Sequence, residues 1–377
     1  MPNITAAAAR RLRPLVLAGC ALLAPEAAFA TVFDLPEDGA GLFGQVEHVR
    51  TTYEDTLIEL ARRYSLGYEE LLRVNPGVDP WLPGADRDVV IPGQRVLPPG
   101  PREGIVVNIP EHRLYYFPKP KRDEKARVMT FPVSVGKMDW RTPLGVTRVV
   151  NKRKNPSWYP PPSVRKEHEE RGDPLPAVVG PGPDNPLGAY AMRLGIPGGN
   201  YLIHGTNNPD AVGMAVTHGC LRMYPEDVEQ LFNAVPVGTP VALVNEPVKI
   251  SRVSGEIWLE VHPPVDAEGQ QIEPDLPDFE RRLDELLGPT QAAIHWDLAL
   301  AALRRADGVP QVVGLELLEE EPATAPPEAA PADATTTGAG AAAASTPASP
   351  APSPSGATTS AVPAAEPTPA SAPPTAH

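Results

Sequence analysis

The sequence predicts a mostly β chain of α+β class, and three observations carry that expectation. Between residues 104 and 246, short runs of β-branched and aromatic residues alternate with Gly and Pro breaks. Residues 46–97 read as two short helices flanked by strand patterns, and residues 247–320 mix one alternating stretch with helical ones. Residues 324–377 are almost wholly Ala, Pro, Thr and Ser, with no Lys or Arg and with Val362 as the one aliphatic side chain larger than Ala. Such a segment cannot bury a core, and a disordered tail is expected there.

At the N-terminus, Arg10, Arg11 and Arg13 precede an apolar run from Leu15 to Leu23, and Ala28-Phe29-Ala30 has the small-x-small form that signal peptidase cuts. Residues 1–30 therefore read as a secretory signal, with the mature chain starting near Thr31. The apolar run is far short of the roughly 20 residues that a membrane span needs, so no transmembrane helix is expected in the mature protein. Leu17-Ala18-Gly19-Cys20 also fits a lipoprotein cleavage pattern, which makes a lipid tether at Cys20 the less favoured alternative. The formal charge is −14; the first 30 residues carry three Arg and one Glu, so their removal leaves −16. So acidic a chain is a poor binder of nucleic acid or of an anionic membrane surface.

In order along the chain, Leu57, Leu60, Ala61 and Tyr64 share one helical face after Asp55-Thr56. Tyr68, Leu71 and Leu72 begin a second helix that Asn75-Pro76-Gly77 stops, and Val89-Val90-Ile91-Pro92 follows as a strand. Residues 104–109 and 113–117 flank a turn at Pro110-Glu111, as in a hairpin. Strands are expected at 128–135, 145–151, 190–194, 201–204 and 241–244. The one clear helix of this region is Pro225 to Phe232, where Pro225 suits a first turn and Glu226 and Asp227 favour the positive end of the dipole. Beyond it, residues 256–261 alternate as a strand, 279–287 and 292–305 read as helices, and 310–314 as a further strand, together an appendage expected to pack over the preceding region.

The chemistry concentrates at Thr217-His218-Gly219-Cys220-Leu221-Arg222, sixteen residues after Ile203-His204-Gly205-Thr206. If the signal is removed, Cys220 is the one thiol left in an exported chain. It has no disulfide partner within that chain, which marks it as a candidate nucleophile. An imidazole can take its proton or stabilise the thiolate, and His204 or His218 could serve. If His218 and Cys220 lie two apart on one extended strand, their side chains share a face but diverge. A His from a neighbouring strand points at the sulfur more directly, which favours His204. Gly219 permits a backbone shape that a Cβ would block, and the N–H groups of Gly219 and Cys220 suit an oxyanion. Arg222 could clamp a carboxylate in two-point fashion. Thr217, Thr206, Asn207 and Tyr190 are expected to line the same cleft. His204, His218 and Cys220 are zinc-ligand types, but the sequence has no Cys-x-x-Cys or His-Glu-x-x-His spacing, and neither metal nor cofactor is expected.

At Thr217-His218-Gly219-Cys220 the chain resembles the L,D-transpeptidases of bacterial cell walls. The resemblance extends to Gly136, Thr142-Pro143-Leu144-Gly145, Trp158-Tyr159-Pro160-Pro161 and Gly182-Pro183-Asp184-Asn185-Pro186-Leu187-Gly188, and so runs through most of residues 32–265. Residues 46–97, with Asp-Thr-Leu early, Leu-x-x-x-Asn in the middle and Ile-Pro near the end, resemble a LysM module, which binds the N-acetylglucosamine backbone of peptidoglycan. The resemblance implies a β-sandwich catalytic domain over residues 104–246 behind a βααβ module, in the branch that includes enzymes attaching an outer-membrane lipoprotein to peptidoglycan. It implies a periplasmic enzyme with Cys220 as nucleophile, His204 as general acid/base, the Gly205 carbonyl orienting His204, and His218 shaping the site or touching substrate. The expected reaction forms a thioester with the third residue of a stem tetrapeptide and passes it to a second stem or to a lipoprotein lysine. Water as acceptor would make a carboxypeptidase or hydrolase of the same site. A non-catalytic wall-binding protein and a peptidase of ordinary L,L-peptides are the alternatives from other classes.

Overall fold

The computed structural model describes residues 31–36, 39, 41–137, 142–266 and 271–317. The expected signal segment, Cys20 and the Ala/Pro-rich tail lie outside the described residues.

The chain enters as a short strand, β1 (Thr31–Asp34), followed by β2 (Leu42–Phe43) and β3 (Val46–Arg50). Helices α1 (Leu57–Arg63) and α2 (Tyr68–Val74) come next, then β4 (Asp88–Pro92), antiparallel to β3, and β5 (Arg95–Val96), antiparallel to β2. Thr56 starts α1 with a capping box: its Oγ accepts from the Glu59 N–H at 3.1 Å while the Glu59 carboxylate accepts from the Thr56 N–H at 3.3 Å. Leu57, Leu60, Ala61, Leu66 and Leu71 bury against Val89 and Ile91, which gives this β-α-α-β unit a small core of its own.

The main sheet follows. Its strands are β6 (Gly104–Asn108), β7 (Arg113–Phe117), β8 (Arg127–Pro132), β10 (Gly145–Lys154), β11 (Tyr190–Leu194), β12 (Leu202–His204), β14 (Leu221–Arg222) and β15 (Pro240–Val244). The two-residue β9 (Val135–Gly136) pairs with β13 (Ala215–Thr217) beside it. Among the described residues the sheet has nine strands in the order β1-β8-β7-β6-β15-β10-β11-β12-β14, antiparallel except at β15/β6 and β12/β14. Period 2 sorts its side chains: Ile105, Val107, Leu114 and Tyr116 face one core, while Val106, Tyr115 and Phe117 face a second core with Phe43 and Leu97. The first core also takes Met192 and Ile203 from the far half of the sheet and Val228 and Leu231 from α4 (Pro225–Ala234). One core shared by both halves means that the sheet curls over on itself, as in a sandwich.

Helix α3 (Pro162–Glu170) was not expected from the sequence. Its residues are mostly charged and Val164 alone is buried, so no apolar period marks it, although Pro162 at its first turn is a start signal. The expected strand 128–135 ends at Pro132 and resumes only at β9.

The C-terminal strands β16 (Val248–Val253), β17 (Glu256–Val261), β18 (Ala292–Ile294) and β19 (Gln311–Glu316) form a sheet in the order β16-β17-β19-β18. Helices α5 (Leu276–Leu287) and α6 (Trp296–Arg305) lay Phe279, Leu283, Ala299 and Leu303 on it. The helix expected over 292–305 is therefore corrected at its start. Ala292–Ile294 pair with β19 instead, because the edge offers ladder partners that outweigh the helix propensity of two alanines.

A buried charged network joins the three parts. Lys249 of β16 is completely buried, with its Nζ 3.0 Å from the Glu111 carboxylate, 2.7 Å from that of Glu260 and 2.7 Å from the Val96 carbonyl. Glu260 also accepts from the Val96 N–H at 2.5 Å and meets His262 at 2.6 Å. Glu70 of α2 meets Arg95 at 2.5 Å and Arg113 at 2.7 Å. Such a network is held at its register because any single deletion leaves a buried charge without its partner. No helix among the described residues is long and apolar enough to cross a membrane.

Candidate active site

His204 ends β12, and Cys220 stands immediately before β14, which runs parallel to β12 with Ile203 opposite Leu221 and His204 opposite Arg222. The candidate base His204 thus stands on the strand next to Cys220. The assumption that His218 and Cys220 share one extended strand is corrected: β13 ends at Thr217, and His218-Gly219 turn the chain before β14 begins. Gly219 has φ +94°, which a Cβ would penalise. Two successive carbonyls here are held by hydroxyls, since Thr142 Oγ donates to Gly219 O at 3.1 Å and Thr217 Oγ donates to Cys220 O at 2.6 Å. Thr142 also accepts from the Gly136 N–H at 3.1 Å, which ties the turn to β9.

Cys220 is free and half-buried, and its Sγ lies 3.6 Å from the Asn200 carbonyl oxygen. Burial pushes its thiol above the ordinary value, against the opposing influence of the Leu202 backbone and the Arg222 guanidinium. His204 is buried, and its Nδ1 lies 2.6 Å from the Gly205 carbonyl oxygen. A carbonyl can only accept, so Nδ1 carries the proton and Nε2 the lone pair. Burial, with Arg222 adding to it, pushes the imidazole down to about 4 against the opposing Gly205 carbonyl.

His204, Thr217, His218, Cys220 and Arg222 all line one cleft of about 880 Å³. Its walls include Trp158, Tyr159 and Leu187, all in stretches singled out from the sequence. Three expected lining residues lie elsewhere. Tyr190 is buried against Phe232, with its hydroxyl donating to the Glu229 carboxylate. Thr206 is buried and caps the local turn, accepting from the Asn208 N–H at 2.9 Å. Asn207 is exposed and reaches the Asp184 carbonyl at 3.4 Å. Tyr190 lies on the core face of β11, and Thr206 and Asn207 follow the end of β12 at His204, so their side chains serve local order.

The sequence reading missed Glu167 of α3, whose carboxylate meets His218 Nε2 at 3.2 Å and also lies 3.7 Å from Lys137 and 3.7 Å from Arg171. A charged, aperiodic segment gave no sign that it would lie against the turn at His218-Gly219. Among the described residues, the trio whose ligand atoms approach closely enough for a metal is Glu111, Glu260 and His262, none of which lines the cleft. Lys249 already supplies the positive charge there.

A family model described as the L,D-transpeptidase catalytic domain matches residues 102–243. The chain is 42% identical over 240 residues to "Probable L,D-transpeptidase YcfS" of Escherichia coli K12, covering 63% of this chain and 74% of that protein. It is 38% identical over 299 residues to "Probable L,D-transpeptidase ErfK/SrfK" of the same organism, covering 77% of this chain and 93% of that protein. It is 40% identical over 256 residues to "Probable L,D-transpeptidase YbiS", also of that organism, covering 66% and 81%.

Proposed function

The chain belongs to the L,D-transpeptidase family, and from that premise we propose that it is a periplasmic enzyme of peptidoglycan working through a thioester on Cys220. The observation that carries this reading is that a half-buried thiol without a disulfide and an imidazole whose Nδ1 is tied to the Gly205 carbonyl line one cleft.

Cys220 Sγ attacks the carbonyl of the third residue of a donor stem tetrapeptide while its proton passes to His204 Nε2. The N–H groups of Gly219 and Cys220 take the developing oxyanion. As the tetrahedral species collapses, the bond to the fourth residue breaks, and His204 returns the proton to the departing D-alanine amine. An acceptor amine then attacks the thioester, gives its proton to His204 and releases the thiol. The acceptor is a second stem, which gives a 3-3 diaminopimelate crosslink, or a lysine of an outer-membrane lipoprotein. Water in its place gives a carboxypeptidase. Arg222 and His218 bind the donor, and Thr217 holds the turn.

The β-α-α-β unit acts as a LysM-like glycan anchor. Tyr53, Trp81 and Leu82, all strongly exposed on its two loops, support this reading because flat apolar side chains pack against sugar faces. The test is incubation of the mature protein with labelled tetrapeptide stems, with and without a lipoprotein-tail peptide. Mass spectrometry is expected to find dimeric stems or lipoprotein-linked stems. Tripeptide alone would reassign the acceptor to water, and unaltered tetrapeptide would refute the activity.

A further inference from the structure

We propose that the cleft carries a second carboxylate-binding subsite, formed by Arg153 and Arg193, which reads a free carboxylate of the peptide substrate some distance from the one met by Arg222. The proposal rests on the reading of the substrate as a stem peptide.

The register of the sheet puts these arginines on the catalytic face. Arg153 of β10 pairs with Ala191 of β11, Ala191 with His204 of β12, and His204 with Arg222 of β14. Arg193 stands two residues beyond Ala191 on the same face, opposite Asn151 on one side and Leu202 on the other. Arg153, Arg193 and Arg222 all line the cleft with Cys220, and no Asp or Glu is among the residues that line it. Glu167, which touches His218 at the rim, is engaged by Lys137 and Arg171.

The chain has 47 acidic residues against 33 Lys and Arg, and many of its arginines bind a carboxylate. Arg62, Arg63, Arg73, Arg95, Arg113 and Arg127 each do so. Arg153 and Arg193 are exposed and take none among the described residues, and the Nε of Arg222 is buried without a hydrogen-bond partner. A guanidinium row kept free of carboxylates in an acidic protein is a site for carboxylates that arrive with a ligand. Arg193 is also the one charged residue of β11 and its one exposed position, so its guanidinium faces the cleft rather than the core.

The spacing fits a peptide. Three strand intervals separate Arg153 from Arg222, about 14 Å at the backbone. An extended chain rises about 3.3 Å per residue, so the row matches roughly four residues. A stem that runs along this row with its reacting end at Arg222 therefore has its second residue between the two ends, where the long Arg193 and Arg153 side chains reach toward its carboxylate.

The experiment uses full-length mature protein carrying Cys220→Ala, so that binding is read without turnover. Its probes are two stem tetrapeptides, one with the second-residue carboxylate free and one with it amidated. Calorimetry is expected to find the free form bound about tenfold or more tightly, as loss of one charge-assisted pair implies. Adding Arg153→Gln and Arg193→Gln is expected to abolish that preference while leaving the affinity for the amidated peptide within about twofold. Equal affinities in the Cys220→Ala protein, a preference that survives the arginine substitutions, or no binding of either peptide would overturn the subsite. Acylation of unsubstituted protein by the same peptides, followed by mass, tests the activity separately: acylation without charge preference sinks the subsite alone.

Discussion

His204 donates its Nδ1–H to the carbonyl oxygen of Gly205 at 2.6 Å, and this bond fixes the tautomer of the imidazole in the cleft. It leaves Nε2 as the basic atom. Burial holds the imidazole neutral down to about pH 4 and holds the Cys220 thiol protonated beyond its ordinary range. The resting pair is therefore neutral imidazole and neutral thiol, and the proton moves during attack rather than before it.

Alkylation of Cys220 by iodoacetamide should accordingly rise steeply with pH, roughly tenfold per unit up to pH 9, without a plateau between pH 5 and 7. Turnover behaves differently, because His204 remains a competent base at pH 5 and titrates near 4. Stopped-flow alkylation and a pH profile of kcat/KM check both. Rapid, pH-independent alkylation near pH 6 would instead indicate a preformed thiolate–imidazolium pair.

Asp227, in the first turn of α4, is buried, and burial together with the Glu226 carboxylate pushes it up to about 8 from an ordinary 3.8. The folded chain thus keeps a proton that the unfolded chain loses near pH 4. The stability this contributes is fully present below that value and is lost as pH rises through about 8. Asp227→Asn should be more stable than the unsubstituted protein at pH 8, by about 1–3 kcal/mol, with the advantage shrinking toward pH 4. Urea unfolding at pH 4, 6 and 8 measures this.

Lys249→Ala removes the cation between two fully buried carboxylates, Glu111 and Glu260. The expected loss is about 3–5 kcal/mol. Lys249→Met with Glu260→Gln should recover much of it, since Glu70 and Glu111 then still balance Arg95 and Arg113. Thermal denaturation of the set separates a charge penalty from a loss of packing.

Gly213 holds the β-α-α-β unit against the loop that leads to β13. A Cβ on it would stand 2.3 Å from the Gly67 Cα, and its φ of +87° disfavours a side chain. The Tyr68 N–H donates to the Val212 carbonyl at 3.0 Å beside it. Gly213→Val should therefore open this contact, raising hydrogen exchange at Tyr68 and lowering turnover, because the same loop feeds the catalytic turn.

The sequence made the strands of the main sheet legible where apolar residues alternate, as at 104–108, 113–117 and 190–194, and it made His204 and Cys220 legible because a thiol among histidines suggests an activated nucleophile. It did not reveal α3, where a single buried residue leaves no period to read. Nor did it reveal that Tyr190 turns toward Glu229, since that depends on which face of β11 meets α4. The strand at Ala292–Ile294 was hidden because its pairing partner comes about twenty residues later. Local patterns report local structure; contacts between distant segments placed Glu167 beside His218 and Lys249 beside Glu111.

The measurement that bears most directly on the mechanism is the intact mass of the mature protein mixed with a stem tetrapeptide and quenched in acid. A gain equal to the tripeptide acyl group, mapped to Cys220 by digestion and absent in Cys220→Ala, is the expected result. His204→Gln should slow its formation by at least about a hundredfold at neutral pH. Consumption of the tetrapeptide by the Cys220→Ala protein at the rate of the unsubstituted protein, or an acyl group found on another residue, would contradict the account.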